Sequence, residues 1–117
     1  MTPLFQCSIP IRVVSEANQH EHWRVREKRK KGQQSAVLLV LQSKFPNGKH
    51  IRPISHISLT RVIATRGHAM DWDNLCGSFK WTIDALAKWL GVNDRELRSV
   101  QATQRRGITS AVEIEIY

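Results

Sequence analysis

Cysteine is scarce: Cys7 and Cys76 are the only two, with no C-x-x-C pair and no Cys/His spacing of a zinc site. That excludes a disulfide scaffold and a zinc-ribbon fold, and both thiols are expected to be reduced and partly buried, as in a cytosolic protein. Long apolar runs are missing too. The longest, Ala36–Leu41, falls far short of a membrane span, so no membrane partner is expected. No basic lead followed by an apolar run opens the chain, so a secretory signal is not expected and the cytoplasm of a bacterial or phage-infected cell is. Neither repeats nor low-complexity linkers occur, and no aromatic RNP pattern or GXXG loop marks an RNA-binding module.

Acidic residues are the other shortage. Ten Asp and Glu face eighteen Lys and Arg, for a net charge of +8 and a pI near 10.2 over 117 residues. Such an excess bears on partners, not on fold, and favours a polyanion, most simply nucleic acid. The length suits one domain, residues 1–117, with a core small enough that a dimer would help it. Six of the eight residues from Arg24 to Lys31 are basic: Arg24, Arg26, Lys28, Arg29, Lys30 and Lys31. They are expected to track phosphates, with Arg66 and Arg105-Arg106 as weaker members of the same set.

Against that background two of the few acids stand one residue apart, in DWDNLCGSFKWTIDALAKWLGVND (Asp71 to Asp94). If this lead-in is extended, Asp71 and Asp73 face the same side, and Trp72 points away as an anchor. Leu75, Phe79, Ile83, Leu86 and Leu90 then recur at helical spacing, with Asp73 at the N-cap position and Gly91 just past the end. Gly77, Lys80 and Asp84 form a second stripe, and Asp84 is expected to pair with Lys80 or Lys88. Asp94 adds a carboxylate beyond the helix; spacing alone leaves open whether it folds back to the first pair. His68 lies on the approach to Asp71, where a lone loop histidine is more often a bystander.

Elsewhere, Leu4 to Val14 reads as a strand broken at Pro10, and about Asn18 to Ser43 as a long helix. In that helix Trp23, Val37, Leu38, Leu41 and Phe45 share a side interrupted by Glu27, Lys30 and Gln34, so its first half is expected to project beyond the core. Asn47-Gly48 is a turn. Ile54 to Ala64 is a strand whose apolar phase slips between Leu59 and Val62, which predicts a bulge. Leu97–Arg105 and Ala111–Tyr117 are further strands, the last alternating Val112, Ile114 and Ile116 with Glu113 and Glu115. The four Trp are expected mostly in the core or in dimer packing. The fold class is therefore α/β (α+β), a small mixed β-sheet carrying two main helices.

DxDNL, a Lys, DAL four residues on, then Gly and a closing Asn-Asp resemble the RusA family of Holliday-junction resolvases, more closely its phage-borne branch, where a Gly/Ser insert precedes the Lys. The resemblance implies a RusA-like homodimer that resolves four-way or branched DNA by paired symmetric nicks. It implies Asp71, Asp73 and Asp94 as ligands of Mg²⁺ (or Mn²⁺), Lys80 at the phosphate, and no small-molecule cofactor. Asn74 is expected to orient a ligand carboxylate. The competing expectation is a non-catalytic DNA-binding phage protein, because Asn93 stands where a second acid would strengthen the site.

Overall fold

The computed structural model describes residues 2–16, 19–51, 54–97 and 99–117, apart from the side chain of Asp94. Four strands and three helices follow in the order β1 (Phe5–Ile9), α1 (Trp23–Lys44), β2 (Ile57–Ile63), α2 (Trp72–Ser78), α3 (Lys80–Leu90), β3 (Val100–Arg106) and β4 (Ala111–Ile116). The chain is thus of the mixed α+β class. No helix among the described residues is long and apolar enough to cross a membrane.

The sheet order is β1-β4-β2-β3. Strand β4 is antiparallel to both β1 and β2, whereas β2 and β3 run parallel and are joined by the α2–α3 crossover. Period-two alternation decides the faces. Cys7 and Ile9, Ile57 and Leu59, and Val112, Ile114 and Ile116 are buried against the helices. The opposite face is polar, with the Thr60 and Thr103 hydroxyls 2.9 Å apart and Arg105 paired to Glu113 at 2.7 Å.

No bulge interrupts β2. Its register runs without a gap from Ile57 opposite Ile116 to Val62 opposite Ala111, and from Ile57 to Ile63 along β3. The slip of phase has another cause. Arg61 occupies the core-facing position between Leu59 and Ile63, and Val62 points to the other face, where it approaches Gly107 so closely that a Cβ there would stand 2.5 Å from its Cγ1.

Helix α1 starts at Trp23, capped by His22, whose Nδ1 accepts the Arg24 N–H at 3.1 Å; the expected start at Asn18 lies outside the described residues. Val37 and Leu41 are buried in its second half, and the first half is exposed, as the interrupted apolar pattern indicated. Trp23 is not core: it is 64% exposed. Gln33 Nε2 reaches Thr82 Oγ1 at 3.4 Å, and the Trp89 indole donates to the Phe45 carbonyl at 2.9 Å. Helices α1 and α3 therefore run in the same direction, and the basic end of α1 lies at the end from which α2 enters. Gly48 is needed for close packing, since a Cβ would stand 2.5 Å from the Trp89 ring.

The single helix expected from Asp73 to Leu90 is two. Phe79 (φ −93°, ψ 1°) ends α2 and begins α3. The Ser78 hydroxyl bonds back to the Leu75 carbonyl at 2.6 Å, a contact that bends helices, and Gly77 stiffens the turn little. Phe79 itself is 1% exposed, a burial that stabilises by about 1.5–3 kcal/mol and holds the bend in place. At the far end Gly91 is left-handed (φ 70°), and the Val92 N–H returns to the Ala87 carbonyl at 3.0 Å, as its place after the apolar stripe predicts.

Candidate functional site at the carboxyl end of strand β2

In sheets with a βαβ crossover, ligands tend to sit beyond the carboxyl ends of the parallel strands. Here a cleft of about 740 Å³ opens there, between the segment after β1, the end of β2 and the loop leading into α2. Its walls carry Arg12 and Ser15, Arg61, Arg66 and His68, and Asp71 with Asn74. Three arginines thus share one cleft with one aspartate.

Arg61 is the buried member, 8% exposed. Its Nη1 donates to the His68 carbonyl at 3.0 Å and to Gln104 Oε1 at 3.2 Å. Gln104 in turn holds both backbone groups of Met70, accepting its N–H at 3.0 Å and donating to its carbonyl at 2.6 Å. The strand residues thereby clamp the loop just before Asp71. Burial, and secondarily the charge of Arg12, pushes the Arg61 guanidinium below its usual pKa.

Asp71, and not Asp73, is the N-cap of α2: its Oδ1 accepts the Asn74 N–H at 2.9 Å. Trp72 and Asp73 already belong to the helix, so the lead-in is not extended at these positions, and Trp72 is 62% exposed instead of anchoring the site. Asp73 lies in the first turn, exposed, on the side of α2 opposite Leu75 and Phe79. Asn74 is fixed between the two elements, its Oδ1 accepting from the Ser15 hydroxyl at 2.8 Å. Ser15 is therefore a tie between the segment after β1 and α2.

The remaining expected residues are dispersed. Lys80 begins α3, exposed, and is not on the wall of the cleft. The bend at Phe79 breaks the stripe expected through Gly77, Lys80 and Asp84. Among the described residues no ion pair joins Asp84 to Lys80 or Lys88. Asp94 opens a short 3-10 turn, Asp94–Glu96, and its side chain lies outside the described residues. Among those described, no three His, Cys, Asp or Glu side chains gather as a metal-ligand group. Asp71 and Asp73, two exposed carboxylates at the start of one helix, fit the sparser demand of Mg²⁺, which commonly takes one or two carboxylates together with substrate phosphates and waters.

Of the basic run on α1, Arg24, Arg26, Lys28 and Lys31 are exposed and Lys30 is half-buried. Arg29 differs. Its guanidinium is held by Glu16 at 2.7 Å and by Glu21, and lies over the Trp81 ring at 5.1 Å. Among the described residues no other member of the run is ion-paired, although the Arg24 guanidinium lies over the Trp23 ring at 5.4 Å. Both cysteines are free; Cys7 is buried, and the expected partial burial fails for Cys76, which is exposed.

Arg12 and Arg61 on the cleft wall, and Gln104, which holds Arg61 and Met70 without lining the cleft, are the residues that sequence reasoning passed over. The signal for Arg61 was present in ISLTRVI: a charged residue in core phase is itself a cause of an apparent slip. No known family model and no curated protein matches the chain.

Proposed function

We propose that the protein binds branched DNA through its phosphate backbone and is a metal-dependent, structure-selective endodeoxyribonuclease of the RusA-like kind, acting as a homodimer on four-way junctions. One observation carries this: the cleft sets Arg12, Arg61 and Arg66 beside Asp71, with Asp73 on the same helix, in a chain of net charge +8. A basic wall neutralises backbone phosphates, and contacts of that kind position DNA without reading its sequence.

Within this proposal Asp71 and Asp73, joined by Asp94, hold Mg²⁺ or Mn²⁺. When bound, such an ion polarises a phosphoryl oxygen and makes hydroxide available near neutral pH. The chain's own residues do the rest. Asn74 fixes the Asp71 carboxylate through its backbone N–H, the arginines draw the phosphate into the cleft, and Lys80 offsets charge on the departing strand. The exposed residues Arg24, Arg26, Lys28 and Lys31 extend the basic path along α1. A two-fold dimer matches the two symmetric nicks that resolution requires. The site of action is the cytoplasm of a bacterial or phage-infected cell.

A second reading, a non-catalytic DNA-binding protein, is favoured by the cleft's own composition, since three arginines against one acid suit holding a phosphate more than cutting it. A labelled synthetic four-way junction separates the two. The nuclease gives paired nicks only with Mg²⁺, and Asp73→Asn abolishes them while binding survives. Junction binding indifferent to Mg²⁺, with no nick at any metal concentration, establishes the second reading. Equal affinity for junction and linear duplex removes the structure selectivity of the first reading, and absence of DNA binding removes both.

A further inference from the structure

Arg61 poses a physical problem. A guanidinium on the core-facing side of a central strand is expensive to desolvate unless its charge is balanced, and a buried charge ordinarily has an acid beside it. Among the described residues no acid is ion-paired with Arg61, although Asp71 lines the same cleft, and the charge of Arg12 acts on it as a second cation. Its protein hydrogen bonds, to the His68 carbonyl and Gln104 Oε1, both use Nη1 and are both to neutral acceptors. Clamping the loop therefore accounts for one of its three nitrogens. The other two, Nε and Nη2, have no acceptor among the described residues, yet no unpaired side-chain nitrogen of a buried residue is sealed from solvent. Arg61 lines the cleft together with Arg12 and Arg66.

We propose that Arg61, Arg12 and Arg66 form a built subsite for a single phosphate group of the DNA backbone, with Gln104 as the positioning residue that aims the Arg61 fork into the cleft. Nε and Nη2 form one edge of a planar fork whose spacing matches two oxygens of a phosphate, and the bond of Nη1 to Gln104 fixes the plane of that fork. Arg12, exposed on the segment after β1, meets the same phosphate from across the cleft. Ser15 has spent its hydroxyl proton on Asn74 and only lines the wall. Three arginines against the single carboxylate of Asp71 leave the cleft with an excess of positive charge, which an arriving phosphate relieves. The identity of the phosphate as one of DNA rests on the function proposed above; the affinity for a tetrahedral phosphate does not.

The test follows the Arg Nε–Hε resonances by NMR during titration with inorganic phosphate at constant ionic strength, and then with a four-way junction. Saturable movement of the Arg61 resonance is expected. Arg12→Gln, at an exposed position that leaves the fold intact, should weaken phosphate roughly tenfold, the effect of losing one charge-assisted contact. Arg61→Lys keeps the charge but loses the fork and should weaken it comparably, with circular dichroism confirming the fold. Phosphate should also displace the junction from the Arg61 signal, which marks the DNA backbone as the source. Displacement absent, with phosphate still saturable, points to a free phosphate or nucleotide and overturns the DNA assignment. A linear shift that sodium chloride reproduces, or an unchanged midpoint in Arg12→Gln, overturns the subsite. Saturable phosphate binding in a protein that never nicks a junction keeps the subsite and removes the nuclease.

Discussion

The side-chain amide of Gln104 pairs with both backbone groups of Met70, donating to the carbonyl at 2.6 Å and accepting the N–H at 3.0 Å, much as a neighbouring strand would. Strand β3 thereby extends its ladder to a loop that has none of its own. Gln104→Leu deletes these bonds and the acceptor of Arg61, so unfolding free energy should fall by about 1–3 kcal/mol at roughly 1 kcal/mol per bond. Urea denaturation measures the loss, and amide exchange should quicken at Met70 while β4 stays protected. Gln104→Glu is the sharper variant. It keeps an acceptor for Arg61 but supplies the missing acid, so the protein should stay folded and lose its affinity for phosphate.

Asp71 and Asp73 should part company when each is changed. The Asp71 carboxylate caps α2 through the Asn74 N–H. Asp71→Ala should therefore cost about 1 kcal/mol of stability, the usual loss for an N-cap, and Asp71→Asn much less, because asparagine caps as well. Among the described residues the Asp73 side chain makes no hydrogen bond or ion pair, so Asp73→Asn should leave the urea midpoint within experimental scatter. Any loss of junction cutting by Asp71→Asn or Asp73→Asn is then chemical and not structural. Equal destabilisation by Asp71→Ala and Asp73→Asn would contradict the capping geometry.

Much of the fold was legible because periodicity is a strong signal. Val112, Ile114 and Ile116 alternated plainly, Gly91 stood where a left-handed cap belongs, and Glu27, Lys30 and Gln34 interrupted the apolar side of α1 before its buried half. The failures are local and share a cause. Spacing cannot tell an extended Asp-Trp-Asp from one that enters a helix, since either leaves Asp71 before Asn74; the helix wins because Asp71 satisfies an orphan N–H. It also cannot foresee the bend at Phe79, which depends on what Phe79 packs against. The apolar slip at Arg61 was visible, but its meaning was not: a bulge and a buried cation leave the same trace in the alternation. The cleft itself, built from four separate segments, is a long-range product of topology that no single window contains.

Arg29 should behave unlike the other basic residues of α1. Its hydrogen bonds to Glu21 hold that carboxyl below its ordinary value of 4.5. A depressed carboxyl stabilises the fold above its unfolded pKa and loses that effect as pH falls through the folded value. Arg29→Met should accordingly lower the urea midpoint fully at neutral pH, and the gap from wild type should close as pH falls below about 4.5. Lys28→Gln, at an exposed position, should leave the midpoint alone at every pH. It should instead reduce the slope of log affinity against log salt for a junction by about 1, the signature of one lost phosphate contact.

The two thiols provide a footprint of the DNA face. Cys7 lies buried in β1, and burial, opposed only weakly by Lys44, pushes its pKa up to about 11. At pH 8 only about one part in a thousand of it is thiolate, the form that reacts. Cys76 is exposed on α2, three residues after Asp73 and therefore on a neighbouring part of the same helix surface. A disulfide-exchange reagent should thus label one thiol per folded chain quickly and the second only on unfolding. If junction DNA docks over the Asp71–Asp73 end of α2, it should slow labelling of Cys76 at least severalfold, and added salt should restore the rate as the complex dissociates. Labelling that proceeds unchanged at saturating junction places the DNA elsewhere on the protein and removes Asp73 from its proposed role.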